Sequence, residues 1–165
     1  MKNLILIFIF IPNILFAGSM KMIGVKGQEK NIDRVIKVSM YDNYYEPNKF
    51  NIKKNETIKF VVENKGELVH EFNIATKAMH FKHQPEMMMM VDYGILLADK
   101  IDKKKMMEIS KKSPSMAHKH SNSILLSPGE SAELIWKFSN SVVLEAACNV
   151  PGHYEAGMVA KIKNL

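Results

Sequence analysis

Hydrophobic and polar residues alternate along most of this chain in short runs, the period-two signature of strands with one buried face. Val35–Met40 alternates, Phe50–Ile52 is a short run after Pro47, and Thr57–Glu63 sets Ile58, Phe60 and Val62 against Thr57, Lys59 and Val61. Asn64-Lys65-Gly66 punctuates a turn, and His70–Ala75 then places His70, Phe72 and Ile74 on one face. Ser123–Leu126 is followed by a turn at Pro128-Gly129; Ser131–Phe138 alternates Leu134, Trp136 and Phe138; Val142–Cys148 and Met158–Ile162 complete the set. Seven or eight short strands with frequent turns predict an all-β chain folded as a Greek-key antiparallel β-sandwich. Between Met79 and about Ser121 the alternation fails. There Pro85 is expected to start a short helix through Met90 and Asp102 to cap another running to Ser110, neither strongly amphipathic.

The two ends of the pattern set the organisation. Residues 1–19 carry a positive start at Lys2, an apolar run from Leu4 to Phe16, and small residues at Ala17 and Ser19 placed for a cut before Met20. That is a secretory signal pattern, too short and too broken by Pro12 and Asn13 for a comfortable membrane span. Residues 20–32 follow as a flexible lead-in, and 33–165 form one domain with an insertion at 79–121. The expected product is exported and periplasmic, with no stable membrane insertion after cleavage.

Composition narrows the partners. The 165 residues carry a net charge of +6, but from 22 lysines and one arginine, Arg34. Nucleic-acid readers lean on arginine forks, and no basic helix with interleaved aromatics is present, so a solvated lysine surface is expected and nucleic acid is not. A single cysteine excludes an internal disulfide, a Cys₄ zinc site and a cysteine-held iron–sulfur cluster. In an exported protein a lone thiol needs protection, which a bound metal supplies. There are 13 methionines, eight of them within the 38 residues from Met79 to Met116.

The chemistry gathers near the C-terminus, in Cys148-Asn-Val-Pro-Gly-His153-Tyr-Glu-Ala-Gly-Met158. A thiolate, an imidazole and a thioether spaced C-x₄-H-x₄-M between two strands form a soft ligand set suited to copper, which needs one more histidine for a His₂Cys site with a weak axial Met. His70, on the inward face with Phe72 and Ile74, is the candidate. Taken singly, each of these residues is as well explained as core.

Here the sequence resembles the cupredoxins, the plastocyanin and azurin class of blue, type 1 copper proteins. The similarity runs through Val35–Asp42, Tyr45-Glu-Pro47, Ile52–Phe60, Asn64-Lys-Gly66 and His70-Glu-Phe72. It implies copper held by His70, Cys148, His153 and Met158, with the edge of His153 as an electron port. Glu71 stands where plastocyanin and azurin have an Asn that helps tie two ligand loops together, so that tie is not carried over. Multicopper oxidases flank the cysteine with histidines, whereas here Ala147 and Asn149 do so, and the binuclear copper domain of cytochrome oxidase needs two cysteines.

The insertion holds His80, His83, Met87, Met88, Met89, Met90, Met106, Met107, Met116, His118 and His120. Thioethers prefer Cu(I) and imidazoles accept either state, so a second copper site, taking additional Cu(I), is one expectation; an adaptable methionine lid over the sandwich is the other. Similar Met/His-rich insertions occur in cupredoxins linked to periplasmic copper tolerance, the group this chain most resembles. The functions expected are one-electron transfer or copper handling and tolerance, with a redox protein such as a cytochrome or a copper-delivery protein as partner. The alternative is a cuprous oxidase taking Cu(I) at the insertion; a metal-free binding module is the third.

Overall fold

A computed structural model of the chain describes residues 23–139 and 142–164. The expected signal peptide, Met20 and Met22 lie outside the described residues. Among the described residues no helix is long and apolar enough to cross a membrane.

Among the described residues, ten strands form two five-stranded sheets. In chain order they are β1 (Val25–Lys26), β2 (Arg34–Tyr41), β3 (Tyr44–Glu46), β4 (Lys49–Ile52), β5 (Thr57–Asn64), β6 (His70–Ala75), β7 (Ser123–Leu126), β8 (Ser131–Lys137), β9 (Leu144–Ala147) and β10 (Val159–Asn164). One sheet runs β1-β8-β5-β2-β3 and the other β4-β10-β9-β6-β7. The sandwich is not wholly antiparallel: β2 pairs with β5, and β10 with β4, in parallel. The cause is the path between β2 and β5, on which β4 joins the opposite sheet, so the chain returns in its original direction. Part of the lead-in is anchored, since β1 pairs with β8 and Trp136 Nε1 donates to the Ile23 carbonyl at 3.1 Å.

Alternation along the strands builds the core between the sheets. Ile58, Phe60 and Val62 of β5 face Phe72 and Ile74 of β6, with Phe50, Leu134, Trp136, Ala146 and Ile162. Phe72 lies at the centre, its ring 5.3, 5.7 and 6.1 Å from those of Phe60, Tyr45 and Phe50.

Strand β6 departs from alternation because all six of its residues are buried. Its outer face, Glu71, Asn73 and Ala75, would meet water in a bare sandwich; here the insertion covers it. Two helices carry that cover, α1 (Lys77–Asp92) and α2 (Lys103–Ser110), with a 3₁₀ turn at Pro114–Ala117. Helix α2 is capped by Asp102 as expected, its side chain accepting from Lys105 N–H at 2.9 Å. Helix α1 corrects the expectation of a start at Pro85. It starts eight residues earlier, where the Thr76 hydroxyl accepts from Met79 N–H at 3.3 Å, and it runs through Pro85. Phe81 and Pro85 are both exposed, so the helix bond that proline cannot make falls on the solvent side, where water replaces it. The face of α1 turned inward is His80, His83, Met87 and Met90, at helical spacing. Met87 and Met90 join Val69, Ile95, Leu96, Ile101 and Met116 in a second, smaller core.

Candidate metal centre

Three elements bring the C-terminal set together. Asn64 is buried and shapes the approach to β6, its side-chain amide donating to the Leu68 and Leu126 carbonyls at 2.8 and 3.0 Å while its oxygen accepts from Gly66 N–H at 3.0 Å. His70 follows as the first residue of β6. Cys148 comes directly after β9, and Met158 directly before β10. The loop between them closes on itself: Cys148 N–H donates to the Met158 carbonyl at 3.2 Å and Met158 N–H to the His153 carbonyl at 3.0 Å. Gly152 and Gly157 take φ of +87° and +93°, which side-chain-bearing residues resist.

His70 Nδ1 and His153 Nδ1 lie 3.2 Å apart, and Cys148 Sγ is 4.0 and 3.4 Å from them. A trigonal ion with nitrogen bonds of ~2.05 Å and a sulfur bond of ~2.3 Å places its donors ~3.5 Å (N to N) and ~3.8 Å (N to S) apart. The three atoms therefore enclose a space of metal size. His70, Cys148 and Met158 are fully buried and His153 is half-buried, so one imidazole edge alone meets solvent.

The electrostatics suit ligands in waiting. Burial holds the His70 and His153 imidazoles below the ordinary histidine value; Asp42 opposes this at His70 without reversing it, and the His70 ring adds to it at His153, so both are neutral at pH 7. Burial pushes the Cys148 thiol up, only partly opposed by Glu71 N–H, which donates to Sγ at 3.3 Å. A thiol in that position ionises when a cation takes the proton's place. Asp42 sets the tautomer of His70: its Oδ1 lies 2.8 Å from Nε2, so Nε2 carries the hydrogen and Nδ1 keeps its lone pair for the site. Gly66 is required beside this pair, since a Cβ there would stand 2.9 Å from His70 Nε2. Asp42 went unrecognised in the sequence, where the only signal was its place in the β2–β3 turn before Asn43, a non-glycine residue at φ +74°.

Glu71 performs the tie that its residue type seemed to forgo. Its Oε2 accepts from Asn149 N–H at 3.2 Å and Asn149 Nδ2 at 2.7 Å, joining β6 to the cysteine loop. Its Oε1 accepts from the Ser123 hydroxyl at 2.5 Å and Asn73 Nδ2 at 3.1 Å, and lies 3.1 Å from His83 Nε2 and 3.0 Å from His118 Nε2. Burial by itself raises this carboxyl, but the hydrogen bonds from His118 and His83 outweigh it and hold it well below the usual carboxylate range.

The insertion's chemistry-bearing residues divide. His83, His118 and His120 converge, their ring nitrogens within 4.8 Å of one another. Burial alone would push the His83 imidazole down; its hydrogen bonds to Glu71 and Glu86 raise it to about 10. His80 stays apart, buried with Nδ1 3.1 Å from Asn149 Nδ2. The methionines split: Met87, Met90 and Met116 gather in the small core with Met106 packed against them, while Met88, Met89 and Met107 are exposed by 48%, 42% and 60%.

Comparison with known proteins places this arrangement. The sequence model of the cupredoxin-like domain matches residues 9–87, a stretch that takes in His70 and stops within α1, short of the cysteine loop. The chain is 40% identical over 145 residues to the copper-resistant cuproprotein CopI of Pseudomonas aeruginosa, covering 84% of this chain and 80% of that protein. It is 30% identical over 140 residues to the protein of the same name from Rubrivivax gelatinosus, covering 84% and 71%. Among solved structures, auracyanin B superposes with a TM-score of 0.60 at 13% identity, over 86% of this chain and 96% of that one.

Proposed function

The chain belongs to the family of cupredoxin-like copper-resistance cuproproteins, and from that premise we propose that it holds one copper ion through His70, Cys148, His153 and Met158 and serves copper handling and tolerance in the periplasm. Copper is the cofactor, and when bound it supplies a one-electron Cu(I)/Cu(II) couple. The observation that carries the reading is the triangle of His70 Nδ1, His153 Nδ1 and Cys148 Sγ, with sides of 3.2, 3.4 and 4.0 Å.

The chain's residues divide the work. The two imidazoles and the thiol provide three donors fixed by β6 and the closed loop, and the buried Met158 thioether is the soft fourth donor. A frame held by strand ends moves little between oxidation states, which favours electron exchange. Asp42 keeps Nδ1 of His70 free of hydrogen, and Glu71 N–H steadies the sulfur. His153, the half-buried member, is the face offered to a partner, a redox protein such as a cytochrome or a copper-delivery protein.

The test is a copper-loaded visible and EPR spectrum with metal counting. An intense thiolate-to-Cu(II) band that disappears in Cys148→Ser is the expected result; a colourless wild-type protein, or colour that survives the substitution, overturns the site. Oxygen uptake with Cu(I) as substrate separates copper handling from a cuprous oxidase, and turnover above background would favour the oxidase.

A further inference from the structure

We infer that His83, His118 and His120, closed from below by Glu71, form a second metal site whose ion is Cu(II) and not Cu(I). The choice of copper rests on the function proposed above. The site itself rests on four side chains from three separate parts of the chain.

His83 descends from α1, while His118 and His120 come from the segment after the 3₁₀ turn. Their ring centroids are 5.0 to 5.2 Å apart, and His83 Nε2 and His118 Nε2 are 3.2 Å from each other. Both nitrogens also stand about hydrogen-bond distance from Glu71 Oε1, at 3.1 and 3.0 Å. His118 reaches this position with φ +46°, a backbone conformation uncommon for a non-glycine residue that persists where surroundings demand it. Glu86 stands behind the group, its Oε1 2.9 Å from His120 Nε2 and its Oε2 3.6 Å from His83 Nδ1. It orients the outer imidazoles as a carboxylate beside a metal-bound histidine does.

Glu71 is the independent observation that points to a cation. Its carboxylate is completely buried, the side chains that face it are those of Asn73, Ser123, Asn149, His83 and His118, with neither lysine nor arginine among them, and without a metal its counter-charge is a proton held on His83. A buried charge of this kind requires a counter-charge. Three imidazoles crowded at these distances repel one another if more than one is protonated, whereas one divalent ion taking the place of the His83 proton meets the carboxylate's charge and uses all three neutral rings as donors.

The donor set chooses the oxidation state. Three nitrogens and one carboxylate oxygen, without sulfur, suit Cu(II); a Cu(I) site would draw thioethers. The methionines of the insertion are packed in the two cores or turned to solvent, and His80 is engaged with Asn149. The site that the insertion builds is thus a histidine site, and its methionines are the packing that supports it. Glu71 also links it to the first centre, since its N–H reaches Cys148 Sγ at 3.3 Å and its Oε2 binds Asn149 N–H at 3.2 Å.

The experiment is a titration of the full mature chain with Cu(II) sulfate, followed by visible absorption, EPR and metal counting. Wild type should take two coppers: one accounts for the thiolate band, and the other adds an EPR signal with nitrogen splitting and no intense colour. His118→Gln/His120→Gln should fall from two coppers to one and lose that second signal. Replacing Met87 to Met90 by Leu should leave it in place. Because the double variant can fail to fold, wild-type protein labelled with ¹⁵N-histidine gives an independent arm, in which the splitting of the second signal must change. A wild type that saturates at one copper, a second signal unaltered by the histidine substitutions or the label, or its loss in the methionine variant overturns the assignment. Failure of the proposed function looks different, because there the thiolate band itself is missing.

Discussion

Replacing Asp42 by Asn tests the link between the fold and the first copper centre. The carboxylate has four contacts: Glu67 N–H at 3.1 and 3.0 Å from its two oxygens, Leu68 N–H at 3.2 Å, and His70 Nε2 at 2.8 Å. An asparagine oxygen can still accept from these donors, so the turn survives and the metal-free protein should lose under about 1 kcal/mol. What it cannot do is supply charge. A hydrogen bond to an ionised acceptor is worth about 1.5–3 kcal/mol and a neutral one about 0.5–1.5, so the imidazole loses about 1 to 1.5 kcal/mol of support when it binds a cation. Asp42 is 36% exposed, and screening by solvent favours the lower end of that range. Copper(II) affinity should therefore fall about fivefold, measured by competition with a chelator while the thiolate band is followed. If the loss falls on Cu(II) alone, the reduction potential rises by about 40 mV. Gly66→Ala should act in the same direction, because its Cβ displaces the same pair. An Asp42→Asn protein that binds Cu(II) within twofold of wild type, at an unchanged potential, refutes the role assigned to this carboxylate.

Three further substitutions probe the frame. Phe72→Ala removes the fully buried ring at the centre of the aromatic cluster and should cost about 3–5 kcal/mol, read as a lower urea midpoint. Thr76→Ala deletes the cap of α1 and should cost about 1 kcal/mol, with helix loss seen by circular dichroism; an unchanged stability would mean that the helix start needs no cap. Glu130 accepts from Ser127 N–H at 2.8 Å and pairs with Lys103; burial works against its ionised form, but these partners prevail and hold its carboxyl below the ordinary 4.5. Its stabilisation is therefore complete above that value and is lost as pH falls through the folded-state value, so Glu130→Gln should cost about 0.5 kcal/mol at pH 7 and progressively less as the carboxyl protonates in acid, and a pH-independent difference would exclude this charge as the cause.

The strands were legible because alternation is local. Val35–Met40, Thr57–Glu63, His70–Ala75, Ser123–Leu126 and Ser131–Phe138 differ from the observed elements by one residue or none at either end. The short strands β1 and β3, of two and three residues, carry too few positions to show a period. Pro85 misled because proline is a good helix opener and, on an exposed face, also a tolerable interior residue; Thr76 held the stronger signal. The metal-ligand spacing was legible because Cys148, His153 and Met158 share one loop. Asp42 and Glu71 were not, because a carboxylate becomes a partner only through contacts that lie 28 and 78 residues away in the chain. Likewise the insertion's histidines and methionines were interleaved in sequence, and only packing separates the three that converge from the residues that fill space.

Glu71 explains why the insertion and the cupredoxin frame belong together. An asparagine beside the first histidine can tie the cysteine loop with neutral hydrogen bonds and leave the outer face of its strand indifferent to what covers it. A glutamate makes the tie with charge, through Asn149 at 2.7 and 3.2 Å, and its second oxygen then faces outward beneath α1. In a bare sandwich that oxygen would take water and the tie would compete with solvent. The insertion removes the water, which strengthens the tie and at the same time obliges the insertion to supply positive charge. His83 answers that need, His118 places a second ring nitrogen 3.0 Å from the same oxygen, and the Ser123 hydroxyl and Asn73 amide complete the set. The cover over β6 is thus coupled to the residue at its centre, and neither Glu71 nor the histidines above it can change alone without leaving the other with an uncompensated charge or an empty cluster.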